Sequence, residues 1–183
     1  MSSSTVHDGK PHPRQSRADL EQWFDALMAA HGQALGRLAS SYARGKGERE
    51  DLLQDIVLAI WGALPRFRGE CSDRTFVFRI AHNRAIAYLA RRRPLTVEAD
   101  EQEFEDATPN PERALSSEQQ GQRLLDAIRR LPLPYAHVVT LTLEDMSYAE
   151  IADVLGICES NVGARLTRAR DMLRRSLRNS DGS

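Results

Sequence analysis

The sequence predicts an all-α protein built from two small helical domains, and three observations carry that prediction. Apolar residues recur at helical spacing from Leu20 to Arg93 and again from Glu112 to Arg178, and no stretch sustains the alternation of a strand. Between these segments the composition shifts to Glu98, Asp100, Glu101, Glu103, Glu105 and Asp106, then Thr108-Pro109-Asn110-Pro111, which marks a flexible acidic linker. The stretch from Ser147 to Arg170 reads as two helices joined by a tight turn. The resulting division is a disordered tail over 1–19, a helical domain over 20–93, a linker over 94–111, a second helical domain over 112–178 and a short tail over 179–183.

In the first domain, Trp23, Phe24, Leu27, Leu35 and Leu38 pattern an amphipathic helix that closes near Gly45-Lys46-Gly47. A second runs from Glu48 to Leu64 with Leu52, Ile56, Ala59, Ile60 and Ala63 as its buried stripe. Pro65 stops it, because proline cannot continue the helical hydrogen bonding, and Arg66-Phe67-Arg68-Gly69 turns the chain. A third spans Thr75 to Arg93, anchored by Phe76, Ile80, Ile86 and Leu89. In the second domain, Leu124, Leu125, Ile128 and Leu131 pattern a helix closed by Pro132 and Pro134, and Tyr135 to Leu143 forms another.

The most informative segment follows. Ser147 is a good helix N-cap and Glu150, three residues on, completes a capping box. Ile151, Ala152 and Leu155 form an apolar stripe. Gly156 stands where the chain must turn left-handed, which glycine does without steric cost. Ala152 is small enough for a second helix to cross closely, and Ile157 plugs the corner. This is the spacing of a DNA-binding helix-turn-helix. Its second helix, Glu159 to Arg178, buries Val162, Leu166, Ala169 and Leu173 and turns out Ser160, Ala164, Thr167 and Arg168, with Asn161 and Arg165 on a flank. Gly163 and Ala164 let the backbone approach a groove, and Arg165 and Arg168 can reach phosphates or guanine edges. A merely solvated basic helix is the plain alternative.

Hydrophobic residues make up 41% and charged residues 28% of 183, an ordinary globular balance. No apolar run approaches the ~20 residues of a membrane span. The segment 1–17 is polar, with Pro11 and Pro13, and lacks a secretory core, so a cytoplasmic location is expected. Cys71 and Cys158 are the only cysteines and the five histidines are scattered, so no metal site and no cofactor are expected. The net charge of −1 conceals local basic faces: Arg91, Arg92 and Arg93, and then Arg165, Arg168, Arg170, Arg174 and Arg175. Local faces set phosphate affinity, and their cancellation within the chain implies weak DNA binding by the protein alone.

Two ordered blocks resemble a known family. Arg49-Glu50-Asp51-Leu52-Leu53-Gln54-Asp55, followed by Leu64 to Gly69 and Phe76 to Arg84, looks like region 2 of the extracytoplasmic-function sigma factors, and the helix-turn-helix looks like their region 4. The resemblance covers Trp23 to Leu177 and implies a transcription-initiation factor rather than an enzyme. It implies docking of Glu50, Asp51 and Gln54 on the β′ clamp of core RNA polymerase, and contact with the β flap by the second domain. The −10 element of promoter DNA would meet Phe76, Arg79, Asn83 and Arg84, with Asn83 capturing a flipped base through its donor and acceptor pair. The −35 element would meet Ser160, Asn161, Gly163, Ala164, Arg165, Thr167 and Arg168. An anti-sigma partner is also implied, and no membrane insertion. Phe76 stands where the family has tryptophan, Gly163 where it has a basic residue, Cys158 where it has proline, and Asp145 where it has glycine.

Apart from the resemblance, Glu50, Asp51 and Gln54 read as a solvated face, and Phe76 and Phe78 as core aromatics. A stand-alone dimeric helix-turn-helix regulator is the first rival; it leaves the region 2 block unexplained. An enzyme is the second, but the chain lacks a phosphate loop, a paired-histidine metal motif and a nucleophile elbow. An adaptor is the third, against which stand the outward arginines of the last helix.

Overall fold

The structure is a computed structural model, and it describes residues 16–43, 45–92 and 117–180; the acidic linker and most of both tails lie outside these residues. Ser16 starts the first helix. Its hydroxyl accepts the Asp19 N–H at 3.2 Å while the Asp19 carboxylate accepts the Ser16 N–H at 2.9 Å, a capping box. Helix α1 then runs Arg17–Tyr42, so residues 17–19 belong to the helix and not to the tail. Helix α2 spans Lys46–Ala63 and passes into a short 3-10 turn, Leu64–Arg66, containing Pro65. Helix α3 spans Asp73–Arg92.

Leu27, Leu35 and Leu38 of α1 meet Leu52, Ile56 and Ile60 of α2 and Val77, Phe78, Ala81 and Ala85 of α3, and removal of these side chains from water stabilises the first domain. Ala59 and Ala63 are only half-buried. Ile86, expected as an anchor, is instead 40% exposed. Each helical residue advances about 100°, and Ile86 lies about that far round from Ala85, past the edge of the buried row. Phe76, Ile80 and Leu89 pack partly buried against the core.

The second domain comprises α4 Ser117–Arg129, α5 Leu133–Leu143, α6 Tyr148–Leu155 and α7 Glu159–Ser180, the last running into the residues assigned to the C-terminal tail. The capping box at Ser147 and Glu150 is present. Gly156 takes φ 65° and ψ 37°, and the Ile157 N–H turns back to the Ala152 carbonyl at 3.1 Å. Ile151, Val154, Val162, Leu166 and Ala169 are buried, with Val154 deeper than the expected Leu155.

The two domains are not separate bodies. Helix α3 packs against α6, and α1 against α4 and α5, so that the buried side chains form one continuous cluster. His82 of α3 and His137 of α5 meet edge to face with ring centres 4.4 Å apart, and Tyr42 of α1 lies 5.7 Å from His137. Periodicity within each helix does not foresee this seam.

Candidate nucleic-acid and partner interface

Three surfaces carry the residues singled out from sequence. On α2, Glu50, Asp51 and Gln54 are all exposed opposite the buried row of Leu52, Ile56 and Ile60. Leu58, one turn beyond Gln54, is 61% exposed and extends that face with an apolar side chain. Motif spacing does not single it out; an apolar residue off the buried stripe is the signal the sequence offers. A groove of about 410 Å³ runs beside this face between α1 and α2, lined by Gln33, Gly36, Arg37, Ser40, Arg49, Glu50 and Leu53.

On α3, Phe76, Arg79 and Asn83 are spaced three and four apart and therefore share one side of the helix. Asn83 is exposed. Phe76 is half-buried, its ring 4.4 Å from that of Phe67, which in turn meets Trp23 at 5.4 Å. The Phe76 ring is thus braced by an aromatic stack that reaches back to α1. Arg79 donates to the Asp153 carbonyl of α6 at 3.1 Å. Arg84 lies apart from the other three: it and Arg91 flank the Asp55 carboxylate at 3.7 Å each, tying α3 to α2.

On α7, Ser160, Ala164, Thr167 and Arg168 are exposed while Val162, Leu166 and Ala169 are buried, the sorting expected from their spacing. Asn161 and Arg165 are half-buried, and the Arg165 Nε donates to the Asn161 Oδ1 at 3.0 Å, which pre-orients the guanidinium. Thr167 turns its hydroxyl onto the Gly163 carbonyl at 3.0 Å. Gly163 lies beside Tyr148 of α6: a Cβ there would stand 3.5 Å from the Tyr148 ring. Tyr148 is 42% exposed and joins the same surface, a neighbour that spacing along α7 alone does not identify.

Cys158 precedes α7 with its sulfur 3.2 Å from the Ser160 hydroxyl, and that hydrogen bond, aided by the Asn161 N–H, holds the thiol below its usual pKa. Burial pushes the Cys71 thiol up. Both cysteines are reduced. Among the described residues no group of three or more histidine, cysteine or acidic side chains is placed to hold a metal ion.

Comparison with known proteins bears on these surfaces. Residues 27–94 match sigma-70 region 2, and residues 121–173 match sigma-70 region 4. The RNA polymerase sigma factor NccH of Alcaligenes xylosoxydans xylosoxydans is 30% identical over 164 residues, covering 86% of this chain and 88% of NccH. The chain belongs to the sigma-70 family, among its extracytoplasmic-function sigma factors. The sigma-E factor of Escherichia coli K12 is likewise 30% identical over 161 residues, covering 82% of this chain and 84% of that protein. CnrH, solved in complex with the cytosolic domain of CnrY, superposes with a TM-score of 0.66 at 27% identity, covering 87% of this sigma factor and 90% of CnrH. The sigma factor RpoE of Bartonella quintana, solved with the anti-sigma factor NepR, shares the fold at a TM-score of 0.64 and 21% identity, covering 87% and 97%.

This sigma factor directs transcription initiation, and the reading as a stand-alone dimeric regulator is not favoured. Sigma factors act as initiation factors without a catalytic step of their own. No helix among the described residues of this sigma factor is long and apolar enough to cross a membrane.

Proposed function

We propose that the chain works in the cytoplasm, without enzymatic activity or cofactor, by seating its first domain on core RNA polymerase and reading two promoter elements. Glu50, Asp51 and Gln54 dock on the β′ clamp, with Leu58 adding an apolar contact to the acidic face. Phe76, Arg79 and Asn83 engage the −10 element, and Arg84, which pairs with Asp55 on another side of α3, adds positive charge to the same helix. Strand opening is then driven by binding: unstacking costs a few kcal/mol per step, which a captured base and phosphate contacts offset. The second domain meets the β flap and presents α7 to the −35 duplex.

The observation that carries this reading is the sorting of α7, with Leu166 and Val162 buried and Ser160, Ala164, Thr167 and Arg168 outward on a helix that follows a capped turn. With Gly163 in place of a long side chain, base readout leans on Arg165 and Arg168, while Ser160, Asn161, Thr167 and the backbone at Gly163 and Ala164 supply the close contacts. An anti-sigma protein covering the polymerase-binding face is the further partner, supported by the complexes of the related CnrH and RpoE. Transcription in vitro with purified core polymerase on a genomic promoter library tests the proposal. Selective transcripts that require this chain are expected; equal transcription with and without it would overturn the reading.

A further inference from the structure

Trp23 has no part in the roles above, and its surroundings give it one. It stands on α1 one turn before the buried Leu27, yet it is itself only half-buried. Its neighbour Phe24 meets Trp61 of α2 edge to face at 5.3 Å, so the contact of α1 with α2 has an aromatic pair of its own. Trp23 is turned instead to the loop that joins α2 to α3.

That loop sets where α3 begins, and local hydrogen bonds fix each end of it. The Phe67 N–H closes on the Leu64 carbonyl at 3.1 Å, Gly69 takes φ 72°, and the Ser72 hydroxyl accepts the Thr75 N–H at 3.1 Å, capping α3. The Trp23 indole touches both ends at once. Its ring lies 5.4 Å from that of Phe67, and its Nε1–H donates at 3.3 Å to the carboxylate of Asp73, the first residue of α3. Arg74, next to Asp73, is taken up elsewhere: it donates to the Glu144 carbonyl, while Arg37 holds the Glu144 carboxylate at 2.6 Å. The indole thus spans the loop, with an aromatic contact at one end and a charge-assisted hydrogen bond at the other.

Phe76 gains its orientation from this arrangement. Its ring rests on Phe67 at 4.4 Å, tilted by 47°, and is only half-buried. A phenyl ring offers a base less stacking surface than an indole, so its placement matters more. Groups that receive a ligand keep their geometry when the residues behind them are locked by packing and hydrogen bonds. Asn83 follows about two turns along the same helix, so a fixed start of α3 places both groups. All three rings belong to the first domain, and the stack does not depend on where the second domain lies.

We propose that Trp23 is a positioning residue for promoter opening: stacked on Phe67 and bonded to Asp73, it holds Phe76 and Asn83 in the geometry that receives unstacked −10 bases. The inference rests on the promoter reading above and adds to it a residue of α1 that acts through its neighbours.

The full chain, reconstituted with core polymerase, is tested on a promoter recovered by the library transcription. The −10 nontemplate strand carries 2-aminopurine, whose fluorescence rises on unstacking. Trp23→Ala should slow opening about three- to tenfold, the factor an aromatic contact is worth, with core binding by native electrophoresis unchanged. Adding Phe76→Trp to Trp23→Ala should return opening to within about twofold of wild type, because the larger ring depends less on its backing. Phe24→Leu, which weakens the contact with Trp61 and leaves the Trp23, Phe67 and Asp73 contacts in place, should melt lower yet open as wild type does. Should Trp23→Ala fail to fold by circular dichroism, Trp23→Leu, which keeps an apolar side chain but no ring, decides in its place. Normal opening by the Trp23 variant, parallel loss of core binding, no recovery with Phe76→Trp, or equally slow opening by Phe24→Leu would overturn the positioning role alone. A chain that yields no selective transcript overturns the promoter reading beneath it.

Discussion

The turn of the helix-turn-helix allows a backbone cost to be separated from a steric one. Gly156 sits at φ 65° and ψ 37°, and a Cβ added there would meet nothing within 4 Å. Gly156→Ala therefore costs only the left-handed backbone energy, about 1–2 kcal/mol. Asp145 is the converse: a non-glycine residue at φ 56°, exposed, in the turn that leads into α6. Aspartate tolerates this region better than most residues, so Asp145→Gly should return less, about 0.5 kcal/mol. For a chain of this length 1 kcal/mol moves the midpoint by roughly 2–4 °C, so Gly156→Ala should melt about 2–8 °C below wild type and Asp145→Gly about 1–2 °C above it. Thermal and urea unfolding followed by circular dichroism measure both, and the double variant should fall between the two. A Gly156→Ala chain as stable as wild type, or a destabilised Asp145→Gly chain, would show that the left-handed backbone is not what these positions demand.

Three further outcomes are expected. Asn83→Ala should reduce promoter opening, read by permanganate reactivity of the −10 region, while core binding measured by native electrophoresis stays intact; parallel loss of both would remove Asn83 from base capture. Arg168→Ala should weaken −35 duplex binding by about 1–3 kcal/mol if the residue reads a base, or lower the salt slope by about one if it holds a phosphate; unchanged affinity at low salt assigns it neither role. Burial holds His82 at about 4 and His137 at about 3, below the 6.5 of an accessible imidazole, with the His82 and Arg165 charges further lowering His137. The unfolded chain therefore takes up these protons first. Stability from this pair is complete above pH 6.5 and falls as pH drops towards 4, by about 2 kcal/mol per histidine at pH 5. Urea midpoints at pH 7.5 and 5 check the direction, and His82→Gln should flatten the dependence; a midpoint that rises on acidification would contradict the burial.

The features legible in the amino-acid sequence share a physical origin: each depends on residues within about one helical turn or one repeat of each other. Ser147 and Glu150 cap α6 by a hydrogen-bond exchange across three residues, Gly156 answers a local backbone demand, and the spacing of Val162, Leu166 and Ala169 orients α7. The outward side chains of α2 and α7 follow from the same periodicity. The capping box at Ser16 is equally local, but the polar composition around it masks the start of α1 within an expected tail.

What depends on distant parts of the chain is hidden from such reasoning. Glu144 and Arg37 are 107 residues apart, and Arg79 and Asp153 are 74 apart. His82 and His137, scattered in the chain, meet only because α3 and α5 are packed into the same seam. Ile86 reads as an anchor by type but lies beyond the edge of the face that α3 buries, and Phe76 is braced by Phe67 from the preceding turn. Local hydrogen bonding and periodicity specify a helix and the sides it has; which side meets which partner is settled by the shape and burial of whole helices against one another. That is why the two domains can be read in order from the chain, whereas their closure over one another is decided only in the folded molecule.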